Sequence, residues 1–254
     1  MEPTTQNALE NEGFAVVPRV LSDDEVDRLR AVMEAEHEPL AARSRRAGRT
    51  YGARNLLAVP TIARLAQAPA VHRLIEPIVG ANTIAVRALF FDKTPEANWP
   101  VLWHQDLTIA VAARHNLPGW GPWSVKAGIT HVEPPPALLA EMLTIRLHLD
   151  DCDADNGPLR VIPSSHRNGR LRREEIKAER AATREQTLTA PKGAAILMRP
   201  LLLHASSPAT NPSHRRVIHI EYAPRDLLPT PLKWASEEFD PPLRTPLARP
   251  RAGG

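Results

Sequence analysis

The run Trp103-His104-Gln105-Asp106 sets an imidazole and a carboxylate two residues apart. In an extended strand, residues i and i+2 project to one face, so His104 and Asp106 converge. That pair supplies two of the three protein ligands of a facial triad for Fe(II), the third being a second histidine. The tripeptide is short, and its plain alternative is a surface aspartate beside an ordinary histidine. Ten histidines stand at positions 37, 72, 104, 115, 131, 148, 166, 204, 214 and 219. His204 ends the apolar run Leu201-Leu202-Leu203 and precedes Ala205-Ser206-Ser207-Pro208. A histidine there is more often a satisfied strand-end residue than a ligand. Its sequel distinguishes it: eleven residues on, Arg215 opens another apolar strand after the loop Pro208–His214. A returning strand can hold a guanidinium beside a metal pocket, where it would form a two-pronged pair with a carboxylate.

Composition narrows the setting. The chain has 254 residues, 43% hydrophobic, with 26 prolines and one cysteine. Proline is roughly twice as frequent as in ordinary proteins. The apolar fraction is that of a globular chain rather than a disordered one. One cysteine excludes a disulfide framework and sulfur-ligated zinc or iron–sulfur sites. No apolar run approaches the ~20 residues of a membrane helix, and the N-terminus carries no secretory pattern, so a cytoplasmic setting is expected. The net charge of +3 is too mild to argue for nucleic acid.

The elements that must position these residues read as helices first and strands afterwards. Ser22-Asp23-Asp24-Glu25 has capping-box form, with Val26, Leu29 and Met33 following at helical spacing. Thr61–Gln67 and Ala70–Val79 read as short helices separated by Pro69. Gly13–Val17 is a short β-type run. From residue 82 strands dominate: 84–91, 102–107, 143–150, 159–162, 194–198, 201–206 and 217–222. Residues 143–150 alternate cleanly, which predicts one face on a core and one toward polar groups or water. Residues 108–140 form a long insertion rich in Trp, Gly and Pro, as lids often are. Residues 224–254 hold seven prolines and read as an irregular tail. The expected fold is mainly β with a helical layer, a jelly-roll core of the double-stranded β-helix kind. One domain over 1–254 is expected: a helical part to about 80, a core over about 82–224 carrying the 108–140 insertion, and a proline-rich tail over 225–254.

His104-Gln105-Asp106, then Asp155-Asn156-Gly157-Pro158-Leu159 leading to Pro163-Ser164-Ser165-His166, then His204 with Ser206 and Arg215, together resemble the phytanoyl-CoA dioxygenase family. Gly13-Phe14 ahead of the capped helix matches that family's start, and the likeness covers roughly residues 10–225. The resemblance implies Fe(II), 2-oxoglutarate and O2. It implies His104, Asp106 and His204 as iron ligands, Arg215 as partner of the distal carboxylate of 2-oxoglutarate, and Ser206 as its hydroxyl partner. Lys93 and Gln105 fall near the cosubstrate on the same grounds. Arg146 stands where relatives carry an aromatic facing it, and Ser164 stands where a glycine is usual. Halogenating relatives lack the carboxylate, so Asp106 implies hydroxylation or a related oxidation with release of succinate and CO2.

Arg216 rivals Arg215. Strand parity groups Arg216 with Ile218, Ile220 and Tyr222, and Arg215 with Val217, His219 and Glu221. Burial favours the isoleucine face as the inner one, whereas family spacing favours Arg215, which is preferred here. For substrate contacts the candidates are Trp120, Trp123, Lys126 and His131 of the insertion, together with Arg54. The insertion reads equally as a structural flap, and Arg43–Arg54 reads first as a solvated basic loop. His148 shares the polar face of its strand with Arg146. The basic run 167–184 is interrupted by glutamates and lacks aromatics, so it reads as an exposed helix rather than a nucleic-acid surface. The predicted partner is a small or medium-sized metabolite, with no nucleic acid and no membrane. Competing readings are a non-catalytic jelly-roll binding protein and a zinc hydrolase using the same triad.

Overall fold

The computed structural model of the chain describes residues 3–35, 42–46 and 49–238. Helix α1 (Pro3–Asn11), strand β1 (Phe14–Val17) and helix α2 (Asp23–Glu34) come first. The predicted capping box opens α2: the Glu25 amide donates to the Ser22 hydroxyl at 3.3 Å, and the Ser22 amide donates to the Glu25 carboxylate at 2.8 Å. The stretch expected to be a basic loop is instead a hairpin, β2 (Ala42–Arg46) and β3 (Arg49–Arg54). Its sequence lacks apolar alternation, so periodicity did not reveal it; β3 is extended because it pairs with a neighbouring strand, with Gly52 opposite Phe91. Helices α3 (Pro60–Ala66) and α4 (Pro69–Val79) each begin with proline. A proline there forfeits no helical hydrogen bond, so Pro69 opens α4 as well as separating the two.

Strands β4 (Thr83–Lys93), β5 (Val101–His104), β6 (Ile109–Val111), β7 (Trp123–Lys126) and β8 (Ile129–Val132) follow, then helix α5 (Pro136–Ala140) and β9 (Leu143–His148). The remainder comprises β10 (Leu159–Val161), the exposed helix α6 (Arg173–Ala182), β11 (Gln186–Leu188), β12 (Ala195–Met198), β13 (His204–Ser206) and β14 (Arg215–Pro224). His204 therefore begins its strand; residues 201–203, expected to be extended, form a turn held by the Leu202 amide on the Arg199 carbonyl at 3.0 Å.

Among the described residues, a seven-stranded sheet runs β1-β12-β9-β14-β4-β3-β2 and a four-stranded sheet runs β11-β10-β13-β5. These are the two walls of the predicted jelly roll. Helices α2, α3 and α4 cover the outer face of the larger sheet. There Leu143, Ile145 and Leu147 of β9 and Ile218, Ile220 and Tyr222 of β14 pack in one cluster with Val26, Leu29, Ile62, Val71 and Ile75. Each such side chain contributes about 1.5–3 kcal/mol on burial. Every residue of β9 is buried: of the two expected settings for its second face, polar groups or water, the fold supplies polar groups, with Arg146 meeting His219 in the barrel interior.

The 108–140 insertion is not irregular. It folds as a third sheet, β6-β8-β7, followed by α5. Its apolar residues Ile109, Val111 and Val132 build a second core with Trp234, which is fully buried. The start of the segment read as an irregular tail is thus anchored through Trp234, with Val111 bridged to it; residues 239–254 lie outside the described residues. Among the described residues no helix is long and apolar enough to cross a membrane.

Candidate active site

Strands β5 and β13 pair in the smaller sheet with His104 opposite His204, their ring centroids 4.2 Å apart. Asp106 lies two residues past the end of β5, its amide held by the Pro200 carbonyl at 2.9 Å. Its carboxylate comes to 3.9 Å from His104 Nε2 and 3.8 Å from His204 Nε2. Both imidazoles are oriented alike: Nδ1 meets the carbonyl two residues back, Leu102 at 2.7 Å and Leu202 at 2.8 Å. A carbonyl only accepts, so the proton sits on Nδ1 and Nε2 turns its lone pair toward Asp106. Burial pushes His204 down to about 4, which keeps it neutral at pH 7. Burial pulls the Asp106 carboxyl upward, but His204, His219, His104 and Arg87 outweigh it and hold the group far below the usual carboxylate range.

The Oδ2 of Asp106 is buried without a hydrogen-bond partner. Buried polar atoms are nearly always satisfied, so this orphan points to a missing partner. One carboxylate and two neutral imidazoles, with ligand atoms within 4.8 Å of one another, fit a divalent iron and leave it open positions.

Gln105, expected near the cosubstrate, points away from this centre. Its Nε2 donates to the carbonyls of Gly169 and Leu201, both at 2.7 Å, and its Oε1 accepts from the Leu171 amide at 2.8 Å. All of its bonding is committed to backbone, so it is a buried clamp on the loop before α6.

The larger sheet forms the opposite wall. On β14, Ile218, Ile220 and Tyr222 face the helices, and Arg216 on that side binds Asp150 at 2.8 and 2.9 Å and Glu34 of α2. Arg215, Val217, His219 and Glu221 face the interior. Both faces are buried, which is why burial could not separate the two arginines. Arg215 lies opposite Lys93 on β4. It donates to the Gly157 carbonyl, and among the described residues its guanidinium has no carboxylate partner. Lys93 is fully buried; its Nζ donates to Ser206 Oγ at 3.1 Å and to the Ser207 carbonyl. Burial, then the nearby Arg215, push its ammonium down to about 7.

Arg146 meets His219 at 3.1 Å and stands 5.9 Å over the Phe91 ring; burial, then Arg215, push it down to about 10. His148, which shares the polar face of its strand with Arg146, is 2% exposed, with both ring nitrogens unpartnered. Burial, then Arg146 and Arg215, push it down to about 3. The Nε atoms of Arg146 and Arg215 are orphaned as well. Buried cations without counter-ions are costly, so this end of the interior, with Lys93, Ser206 and Arg215, has the charge to suit a dicarboxylate such as 2-oxoglutarate. Gly157 makes the approach feasible: at φ +62°, a Cβ there would lie 2.9 Å from the Ser207 carbonyl and 3.2 Å from Lys93 Nζ.

Toward the other end, Glu221 sits with His219 beside Asp106, their ligand atoms again within 4.8 Å. Glu221 is ion-paired with Arg87 of β4, directly opposite it. Arg87, Arg54 and His131 line one pocket, and Lys126 shares Thr108 with Arg87. Trp120 and Trp123 pack against the second core instead, with Arg114 5.6 Å over Trp123; neither lines that pocket. Arg87, His219 and Glu221 escaped the sequence reading. The parity of β14 and β4 with Arg215 and Lys93 was the signal that could have found them.

Comparison with known proteins agrees with this geometry. The phytanoyl-CoA dioxygenase family profile matches residues 9–217. An L-proline trans-4-hydroxylase of Streptomyces griseoviridis is 27% identical over 245 residues, covering 83% of this chain and 82% of the relative. The crystal structure of EctD from S. alaskensis superposes with a TM-score of 0.66 at 18% identity, over 88% of this chain and 77% of that one. HygX from Streptomyces hygroscopicus, crystallised with nickel and 2-oxoglutarate bound, gives 0.60 at 16% identity, over 89% and 88%. The chain belongs to the phytanoyl-CoA dioxygenase family and is an Fe(II)- and 2-oxoglutarate-dependent dioxygenase.

Proposed function

We propose that the enzyme hydroxylates a small or medium-sized metabolite, with His104, Asp106 and His204 as iron ligands and Lys93, Ser206, Arg215, Arg146 and His148 around the cosubstrate. The observation that carries this reading is the orphaned Oδ2 of Asp106 between two Nε2 lone pairs, next to buried cations without counter-ions. Iron with 2-oxoglutarate and O2 supplies the oxidising chemistry: one oxygen atom enters the substrate C–H bond, the other enters succinate, and CO2 leaves. The residues of this chain do the rest. The Leu102 and Leu202 carbonyls fix the ligand tautomers, while Arg215 and Lys93 anchor the distal carboxylate and set its orientation. The buried wall of β9 and β14 keeps water from the cosubstrate end of the site.

Adding Fe(II) and 2-oxoglutarate without oxygen should produce a metal-to-ligand charge-transfer band, and admitting O2 should release succinate. The variant Asp106→Ala should lose both while keeping its circular dichroism. Wild-type succinate release by that variant would refute the assignment.

A further inference from the structure

The barrel interior holds two basic clusters, each with an arginine, a lysine and a hydroxyl, on either side of the triad. Lys93, Ser206 and Arg215 form the first. The second is Arg87, Thr108 and Lys126: the Thr108 hydroxyl lies 3.4 Å from Arg87 Nη1 and 3.2 Å from Lys126 Nζ. Arg215 and Glu221, the residue opposite Arg87, are six residues apart on β14, about 20 Å, so 2-oxoglutarate cannot hold both clusters and the iron together. The second cluster also abuts the reaction centre, because Arg87 is paired with Glu221, and Glu221 lies within 4.8 Å of Asp106.

Its charges do not balance. Arg54, Arg87 and Lys126 face one free carboxylate, Glu221, since Asp106 serves the triad. Among the described residues Arg54 and Lys126 have no acidic partner in hydrogen-bond or ion-pair range. The Nε of Arg87 is buried and unpartnered. The arrangement is built rather than accidental: Asn55 donates to the Ala127 carbonyl at 3.0 Å, pinning the β7–β8 turn against the end of β3 and bringing Lys126 toward Arg54. Crowding is felt by the groups themselves. Burial, then Arg87 and Arg54, lower Lys126, and burial, then Arg87, lower Arg54. His131, pushed by burial down to about 4, stays neutral and adds an imidazole to the wall.

We propose that Arg87, Thr108, Lys126 and Arg54 bind an anionic group of the substrate, so that the enzyme oxidises an organic acid close to its charged end. The oxidation rests on the dioxygenase reading; the binding does not. The pocket that Arg54 and Arg87 line is otherwise largely apolar, with Leu57, Val86 and Ala110 among its residues, which suits a carbon skeleton rather than a second charge.

The test uses protein loaded anaerobically with Fe(II) and saturating 2-oxoglutarate, at fixed ionic strength. It is titrated with short aliphatic carboxylic acids and amino acids, with their primary amides, and with phosphate monoesters of the same skeletons. Binding is read by calorimetry and by perturbation of the charge-transfer band. Acids or phosphate monoesters should bind at least about tenfold more tightly than the amides, and the better of the two names the anion. Lys126→Met and Arg54→Gln should each weaken that binding by about ten- to hundredfold, the range for a charged hydrogen bond, without altering the affinity for 2-oxoglutarate. Should Lys126→Met misfold by circular dichroism, Thr108→Val replaces it. Equal binding of acids and amides, no binding of any anion, or anion affinity unchanged in the variants overturns the proposal. Loss of the band with heats of anion binding retained refutes the dioxygenase reading and leaves this site standing.

Discussion

Adjacent arginines on β14 should respond to the same substitution in opposite ways. Arg216 on the helix side is held by Asp150 through two side-chain bonds of 2.9 and 2.8 Å, and by Glu34. Removing one partner of a buried pair costs about 3–5 kcal/mol. Asp150 keeps a second arginine, Arg30, at 2.7 Å, and the pair is about a tenth exposed, so the loss for Arg216→Gln is nearer ~2 kcal/mol. In a domain of this size that lowers Tm by about 4–8 °C. Arg215 on the interior side has a carbonyl for a partner and repels Lys93 and Arg146. In the cofactor-free protein Arg215→Gln gives up one hydrogen bond of about 1 kcal/mol and relieves a buried, uncompensated charge. Its Tm should therefore move by no more than ~4 °C. The same substitution removes a charged hydrogen bond to 2-oxoglutarate of about 1.5–3 kcal/mol, a rise in Kd of roughly 10–150-fold. Thermal melts of the free protein and anaerobic titration of the charge-transfer band measure both quantities. A destabilised Arg215→Gln that still binds 2-oxoglutarate normally, or an Arg216→Gln that loses it, refutes the placement of the two faces.

Lys93, depressed to about 7 in the folded state against 10.5 unfolded, binds fewer protons folded than unfolded between those values. Stability of the free protein should rise with pH across about 7 to 10.5 and fall as pH drops through 7; the difference in Tm between wild type and Lys93→Met isolates that slope, and a flat difference would contradict it. The same titration means that 2-oxoglutarate should bind more weakly above pH 7 in wild type but not in Lys93→Met. Gly157→Ala should cost about 1–2 kcal/mol from its positive φ and its contact with the Ser207 carbonyl, and should raise the KM for 2-oxoglutarate because Arg215 and Lys93 shift with it. Gln105→Ala strands two carbonyls and one amide in the interior, about 3 kcal/mol in all. It should lower Tm with little change in that KM, and the opposite pattern would return Gln105 to the cosubstrate.

His104, Asp106 and His204 were legible because metal ligation restricts residue type, and because strand alternation aims i and i+2 together. The helices α2, α3 and α4 were legible through a cap, apolar spacing and prolines. The order of helices then strands pointed to the jelly roll. Long-range pairing decided the rest. The β2–β3 hairpin takes its extended form from β4, and the insertion is a sheet because Trp234, about a hundred residues later, completes its core. Arg215 and Arg216 have the same residue type and nearly the same burial; only the helices packed on one side of β14 give the two faces different partners. Gln105, between His104 and Asp106 in sequence, is bonded to backbone of Gly169, Leu171 and Leu201 that only the folded chain brings to it. Arg87 on β4, Lys126 on β7 of another sheet and Thr108 just before β6 meet from three parts of the chain, a convergence with no local signature. A sequence specifies which chemistry is present, since that depends on functional groups; which groups share a volume depends on tertiary packing, and with it the choice of substrate.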